Sequence, residues 1–265
     1  LQTMHGTPLK KMGFEVLNEW SSAGYERYLR KNRNWDYLTV PSDFVAKVAK
    51  NAFRHEATVI NSGYPRNDSL FKQSSEVQID ELKQRMSLPI DKKIILYAPT
   101  WRKRGAVLLE LNYEQLSQRL PENTILVIKG HYWTNVIGVP KKQNVQLANP
   151  EFSIEDYYLV ADAMITDYSS TMFDYALLNK PMIFYVYDYD SYILSRGLNF
   201  DFKSDAPGPL VYNQDELEKE IINFETIPER YQSEIFNFKN KFIQYDDGHA
   251  SQRVSELVFS EELKL

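Results

Sequence analysis

A few short segments of this chain carry the residues best suited to chemistry. Thr166-Asp167-Tyr168-Ser169-Ser170-Thr171 closes an apolar stretch and opens what reads as a helix. A helix N-terminus offers unpaired N–H groups and a partial positive charge, which suits a phosphate, and Ser169, Ser170 and Thr171 add hydroxyl donors. Plain N-capping is the other reading of the same hydroxyls. Arg102, Lys103 and Arg104 follow a second apolar stretch, and Lys129 and His131 follow a third. The chain has a formal net charge of −5. Cations gathered at strand ends on an acidic protein point to an anionic small ligand, and together these segments read as a polyphosphate pocket. His131 stands beside Gly130 at such an end. With an unperturbed pKa of about 6.5, a histidine there can supply a cation or a proton to a leaving phosphate; a purely structural ring is the alternative. Finally, His5-Gly6-Thr7-Pro8-Leu9-Lys10-Lys11 cannot continue a helix, so the His5 ring sits on a tight loop with positive charge nearby.

Other chemistries are excluded. The 265 residues include no cysteine, so disulfides, thiolate zinc sites and cysteine nucleophiles are ruled out. The spacing of the 4 histidines does not resemble a zinc site. His55, among charged neighbours, is expected to be exposed, and His249 is expected to contribute to the cap of a final helix. Neither Gly-x-Gly-x-x-Gly nor Gly-x-x-x-x-Gly-Lys-Ser/Thr occurs, which demotes NAD enzymes and P-loop ATPases. The acidic balance argues against coating nucleic acid through bulk charge. No stretch approaches the roughly 20 apolar residues of a membrane span, and none reads as a signal peptide. Leu1-Gln2-Thr3-Met4 leads straight into the His5 loop, so the chain is expected to be a fragment of a longer polypeptide.

The elements that must position these residues follow from periodicity. Short apolar runs predict strands at 36–40, 57–61, 93–98, 124–129, 163–166 and 181–186. Helical spacing predicts helices at 43–53, 79–86, 113–119, 154–160, 170–178, 215–224, 231–242 and 250–263. The strands are apolar throughout rather than alternating, as expected of strands covered on both faces. Strand–helix alternation at this spacing predicts an α/β fold with a doubly wound parallel sheet, whose ligands sit at the carboxyl ends of the strands. The aromatic runs Tyr157-Tyr158 and Phe184-Tyr185-Val186-Tyr187 are expected in the core.

Several motifs are also recognisable together: His5-Gly6-Thr7-Pro8-Leu9-Lys10, Gly63-Tyr64-Pro65-Arg66-Asn67-Asp68, Tyr97-Ala98-Pro99-Thr100-Trp101-Arg102, Thr166-Asp167-Tyr168-Ser169-Ser170 and Phe173-Asp174-Tyr175-Ala176. Asp247-Gly248-His249-Ala250-Ser251-Gln252-Arg253 closes the series. In this order the set resembles the CDP-glycerol glycerophosphotransferase family, the wall teichoic acid glycerol-phosphate polymerases and primases with their ribitol-phosphate relatives. The resemblance implies a GT-B-like fold of two Rossmann-like domains facing a cleft. Residues 1–62 would be the C-terminal part of the acceptor-side domain, 63–245 the CDP-glycerol-binding Rossmann-like domain and 246–265 a C-terminal helix. It implies transfer of glycerol phosphate from CDP-glycerol to the terminal glycerol of a lipid-linked teichoic acid chain, releasing CMP. His5 and His131 map onto the family's catalytic histidines. Lys10, Arg66, Arg102, Lys129, Asp167, Ser169, Ser170 and Thr171 are the expected substrate-binding residues. No cofactor, metal or nucleic acid is implied. The implied location is the cytoplasmic face of the membrane, reached through regions outside this chain. An ordinary nucleotide-sugar glycosyltransferase, or a ribitol-phosphate transferase of the same family, is the alternative. The stretch between Arg102 and Tyr113 is shorter than the family pattern suggests, and most of the acceptor-side domain is expected to lie outside this chain.

Overall fold

The computed structural model describes residues 1–19, 21–72, 75–100, 106–107, 111–130, 135–136 and 142–262. The chain forms two compact units. Unit 1 comprises Leu1–Lys72, Tyr192–Asp205 and Phe236–Leu265; unit 2 comprises Gln73–Ser191 and Ala206–Ile235. The chain therefore leaves and re-enters unit 1 more often than a division at residues 62 and 245 implies. Segments 63–72, 192–205 and 236–245, expected in the donor domain, cluster with the N-terminal residues instead.

In chain order the elements begin with α1 (Ser22–Arg33), β1 (Tyr37–Val40), α2 (Asp43–Phe53) and β2 (Thr58–Asn61). Next come α3 (Glu76–Arg85), β3 (Lys93–Ala98), β4 (Ala106–Val107), α4 (Tyr113–Arg119), β5 (Thr124–Ile128), β6 (Asn135–Val136) and β7 (Val145–Leu147). Then α5 (Ile154–Val160), β8 (Ala163–Thr166), α6 (Thr171–Tyr175), β9 (Met182–Tyr185), α7 (Tyr189–Arg196), α8 (Phe202–Asp205) and β10 (Leu210–Val211) follow. The chain ends with α9 (Gln214–Ile222), α10 (Ile227–Arg230), α11 (Gln232–Phe242) and α12 (Ala250–Glu262).

In unit 1, β1 and β2 pair in parallel, and Gln2 bridges the other side of β1 through Gln2 N–H to Tyr37 O (2.8 Å) and Thr39 N–H to Gln2 O (3.0 Å). Helix α2 forms because Ser42 accepts from Val45 N–H at its start while Val45, Val48, Ala49 and Ala52 line one buried face. That face packs on Leu38 and Val40 of β1. The sequence reading misses α1, whose composition is too polar to announce a buried stripe; Ser21 caps it.

Two motifs distant in sequence meet in this unit. Asp68 accepts from the N–H groups of Ala250 (3.0 Å) and Ser251 (2.8 Å), capping α12 from elsewhere in the chain. Asp246 accepts from Tyr64 N–H at 2.9 Å, and Arg253 donates to Ser62 O at 2.6 Å and to both oxygens of Asp247. His249 precedes α12 and its backbone carbonyl accepts the ordinary first helical bond from Arg253 N–H, while the cap comes from Asp68. Gly63 has a φ of +78°, and a Cβ there would lie 2.8 Å from Tyr245 O.

His55 corrects an expectation. It is buried, 1% exposed, rather than on the surface. Helix α2 ends with Arg54 in the left-handed region, and burial alternates from there to β2, with Arg54 and Glu56 exposed and His55 and Ala57 buried. Its ring lies 6.1 Å from that of Trp35.

In unit 2, six parallel strands run in the order β10-β9-β8-β3-β5-β7. Ile94, Ile95 and Leu96 at the centre of β3 are fully buried, as a strand covered on both faces requires. The chain winds from β3 through β5 to β7 on one side, then returns to β8 beside β3 and continues to β9 and β10. The direction of winding thus reverses between β3 and β8, which makes that gap the topological switch point. The short strands β4 and β6 pair separately. The helix predicted over 170–178 is shorter: α6 stops at Tyr175 and the chain tightens into a 3-10 turn over Ala176–Leu178, ended by Asn179 in the left-handed region. Tyr157, Tyr158, Phe184 and Tyr185 are core residues, while Tyr187 is half-buried.

Candidate active site

The carboxyl edge of the unit 2 sheet is where the sequence places its chemistry, and the switch point there is built in detail. Ala98 of β3 pairs with Thr166 of β8, and the Thr166 hydroxyl donates to Ala98 O at 2.8 Å. Asp167, 3% exposed, accepts from Thr100 N–H at 2.7 Å and from the Thr100 hydroxyl. The two strand ends that flank the switch point are therefore tied by one carboxylate. Its charge also bears on the buried Tyr97 phenol, whose pKa is raised by burial first and then by Tyr113 and Asp167.

Ser169, Ser170 and Thr171 follow directly and are half-exposed. Ser169 Oγ accepts from Thr171 N–H at 3.4 Å, and Thr171 Oγ1 lies 3.4 Å from Thr166 Oγ1. Ser170 occupies the cap position of α6, but its hydroxyl makes no capping bond. These hydroxyls stand at the mouth of the switch point, next to the short helix.

Lys129 follows β5 on the other side of β3. Its ammonium donates to Phe152 O at 2.9 Å and lies 4.8 Å from the Tyr157 ring centroid. Burial lowers its pKa, against the opposing influence of Asp156 and Glu155. Lys129 thus braces the segment that leads into α5 at the same carboxyl edge of the sheet. Arg102 and His131, the cation and the histidine expected beside it, lie outside the described residues. Among the described residues no three His, Asp or Glu side chains come together to hold a metal ion.

The remaining expected residues belong to unit 1. His5 is exposed, on a loop between Met4 (φ 57°) and Gly6 (φ 152°). Lys10 sits with its ammonium 5.6 Å from the Tyr192 ring centroid. Arg66 is exposed at the start of the 3-10 turn Pro65–Phe71, 5.5 Å from the Tyr64 ring centroid. Thr100 stands within a motif of the sequence, but nothing local in that motif announces its bond to Asp167. Asn199 falls in no motif at all, although that side chain donates to the carbonyls of Pro8 and Lys10. No local pattern could reveal Asn199, because its partners lie far away in the chain.

Comparison with known proteins decides the family. The model of the CDP-Glycerol:Poly(glycerophosphate) glycerophosphotransferase family matches residues 1–260. The chain belongs to this family. Among curated relatives of this glycerophosphotransferase chain, the teichoic acid glycerol-phosphate transferase of Staphylococcus aureus is 35% identical, over 98% of this chain and 70% of that protein. The teichoic acid poly(glycerol phosphate) polymerase of Bacillus subtilis is 36% identical, over 99% of this chain and 37% of that protein. The chain therefore spans a little over a third of the second relative. A solved structure of the wall teichoic acid polymerase TagF, an H444N variant soaked with CDPG, superposes with a TM-score of 0.88 at 31% identity, covering 98% of this chain and 68% of that one. The shared fold is the GT-B-like α/β architecture that the motifs imply.

Proposed function

We propose that the protein transfers glycerol phosphate from CDP-glycerol to the terminal glycerol hydroxyl of a lipid-linked teichoic acid chain. The observation that carries this reading is the family match over residues 1–260. The switch-point geometry supports it, because a crevice at the carboxyl ends of parallel strands is where such sheets hold nucleotides.

The reaction is a displacement at the glycerol-bearing phosphorus. The acceptor hydroxyl oxygen forms a new P–O bond, the bond to the bridging oxygen of the diphosphate breaks, and that electron pair leaves with CMP. The protein's task is positioning and charge stabilisation. His5 takes the hydroxyl proton as general base. Its exposed loop position leaves the ring open to an acceptor. Ser169, Ser170, Thr171 and the amides that follow them hold the diphosphate; the Ser170 hydroxyl is not spent on capping α6. Asp167 keeps the β3 and β8 ends in register, so that Thr100 and the serines present one surface. Lys129 adds positive charge at the crevice edge, and Arg102 and His131 add more, with His131 stabilising or protonating the departing CMP. Lys10 and Arg66 supply positive charge on the acceptor side for the polyanionic chain. No covalent intermediate is required. A lipid-linked acceptor places the reaction at a membrane surface, on its cytoplasmic side where CDP-glycerol would be supplied. No helix among the described residues is long and apolar enough to cross a membrane.

The test is product analysis with radiolabelled CDP-glycerol and a lipid-linked glycerol-phosphate primer. CMP released in step with label entering polymer supports the reading. Release of a nucleoside diphosphate, or incorporation from CDP-ribitol or UDP-glucose alone, refutes it. Substituting His5 or His131 by alanine should lower turnover by about 10²–10⁴-fold.

A further inference from the structure

The loop that carries His5 is held partly from within and partly from elsewhere in unit 1. Leu9 N–H bonds to Thr7 O at 2.9 Å, Pro8 has no N–H to give, and Met4 and Gly6 both lie at positive φ. A left-handed Met4 costs energy that the surroundings must offset. Gln2 Oε1 accepts from Met4 N–H at 2.9 Å at the start of the loop, and residues 8–11 are held by the segment after α7. Asn199 Nδ2 donates to Pro8 O at 2.8 Å and to Lys10 O at 3.1 Å, and Asn199 N–H donates to Leu9 O at 3.0 Å. One residue thus takes up three successive carbonyls.

The same segment makes two further contacts. Lys11 N–H donates to Gly197 O at 3.2 Å, and Lys10 bridges Leu198. Gly197 has a φ of +64°, which a residue with a Cβ rarely adopts, and a Cβ there would lie 3.0 Å from Cδ of the Lys11 side chain. An asparagine amide carries two N–H donors in one plane, and both are used on this loop.

We propose that Asn199 is a positioning residue for the transfer reaction: it fixes the conformation of the 5–11 loop and acts on turnover only through the placement of His5. This rests on the reading of His5 as the acceptor base. A general base must reach the acceptor proton at hydrogen-bond distance, and a displacement of about 1 Å in a catalytic group can cost about 10²-fold in rate.

The experiment compares Asn199→Ala, Asn199→Asp, His5→Ala and the His5→Ala/Asn199→Ala double variant in the full-length protein. Asn199→Asp keeps the size of the side chain but removes both donors, so it reports on the clamp should the alanine variant fold poorly. Calorimetric binding of CDP-glycerol serves as a check on the fold that does not depend on His5. The proposal expects both Asn199 variants to lose about 10²-fold in kcat, with KM for CDP-glycerol and its calorimetric affinity changed by less than about 3-fold. It also expects the double variant to be no slower than His5→Ala alone, since residues acting as a unit are not additive. Wild-type kcat in Asn199→Asp, or losses that multiply in the double variant, would overturn it while leaving the role of His5 intact. Wild-type turnover in His5→Ala would overturn the reading of His5 first, and this proposal with it.

Discussion

Replacing Asp167 tests whether the switch point is built as described. In the native structure its carboxylate accepts from both the backbone N–H and the hydroxyl of Thr100. Hydrogen bonds to charged groups contribute about 1.5–3 kcal/mol each. Asp167 is 3% exposed, so water cannot readily take its place, whereas Thr100 is half-exposed and its freed donors recover part of the loss from solvent. Asp167→Ala should therefore destabilise unit 2 by about 2–4 kcal/mol. Asp167→Asn retains an acceptor oxygen for the Thr100 amide and should cost about half as much. Urea unfolding followed by tryptophan fluorescence reads the change as a fall in midpoint at constant slope. CDP-glycerol affinity supplies the second readout: with the β3 and β8 ends no longer tied, it should fall about 10-fold or more in Asp167→Ala, by the loss of preorganisation. Thr100→Val removes only the hydroxyl bond and should fall between wild type and Asp167→Ala. An unchanged midpoint and unchanged CDP-glycerol affinity in Asp167→Ala would show that this carboxylate does not hold the two strand ends together.

Three other outcomes are expected. Gly63→Ala should destabilise unit 1 by about 2 kcal/mol or more, because φ is +78° and the new Cβ would lie 2.8 Å from Tyr245 O; a thermal midpoint equal to wild type would count against the clasp with Asp246. Lys180→Met should cost about 2–4 kcal/mol, since Lys180 Nζ donates to the carbonyls of Tyr158 (3.1 Å), Leu159 (2.7 Å) and Ala161 (2.7 Å) where α5 ends; denaturant titration checks it. Burial, and then Lys50, lower the His55 pKa, against the backbone of Ala57. The unfolded chain therefore binds a proton that the folded one refuses, and stability present above pH about 6.5 is lost as pH falls towards the lower folded pKa. Thermal midpoints at pH 7.5 and 5.5 should diverge less in His55→Phe than in wild type, and an equal drop in both would remove His55 as the cause.

How much could be read from the sequence depends on whether a residue's partners are local. Strands β3 and β8 and helices α2, α4 and α5 were legible because continuous apolar runs or a buried helical stripe leave a periodic record. Short edge strands such as β7 and β10 leave almost none, and α1 hides behind a polar composition. At the carboxyl edge, Thr166–Thr171 could be found because a strand, a run of hydroxyl residues and a helix start are contiguous. The tie from Asp167 to Thr100, the capping of α12 by Asp68 and the hold of Asn199 on the His5 loop join residues far apart in the chain, where no spacing rule applies. His55 was misread for a different reason. Charged neighbours point to a surface position, but alternate residues of a non-helical segment can face opposite sides, so charged, exposed Arg54 and Glu56 are compatible with a buried His55 between them.

In the proposed reaction, unit 2 holds the diphosphate of CDP-glycerol at the β3–β8 switch point, on the hydroxyls of Ser169, Ser170 and Thr171. Calorimetric titration of the wild-type chain and of a Ser169→Ala/Ser170→Ala variant, with CDP-glycerol and with UDP-glucose, tests it most directly. Binding should be saturable and prefer CDP-glycerol, with an affinity at least about 10-fold weaker in the double variant, at about 1 kcal/mol per lost hydrogen bond. Binding of CDP-glycerol undiminished by loss of both serines, or a preference for UDP-glucose, would contradict it.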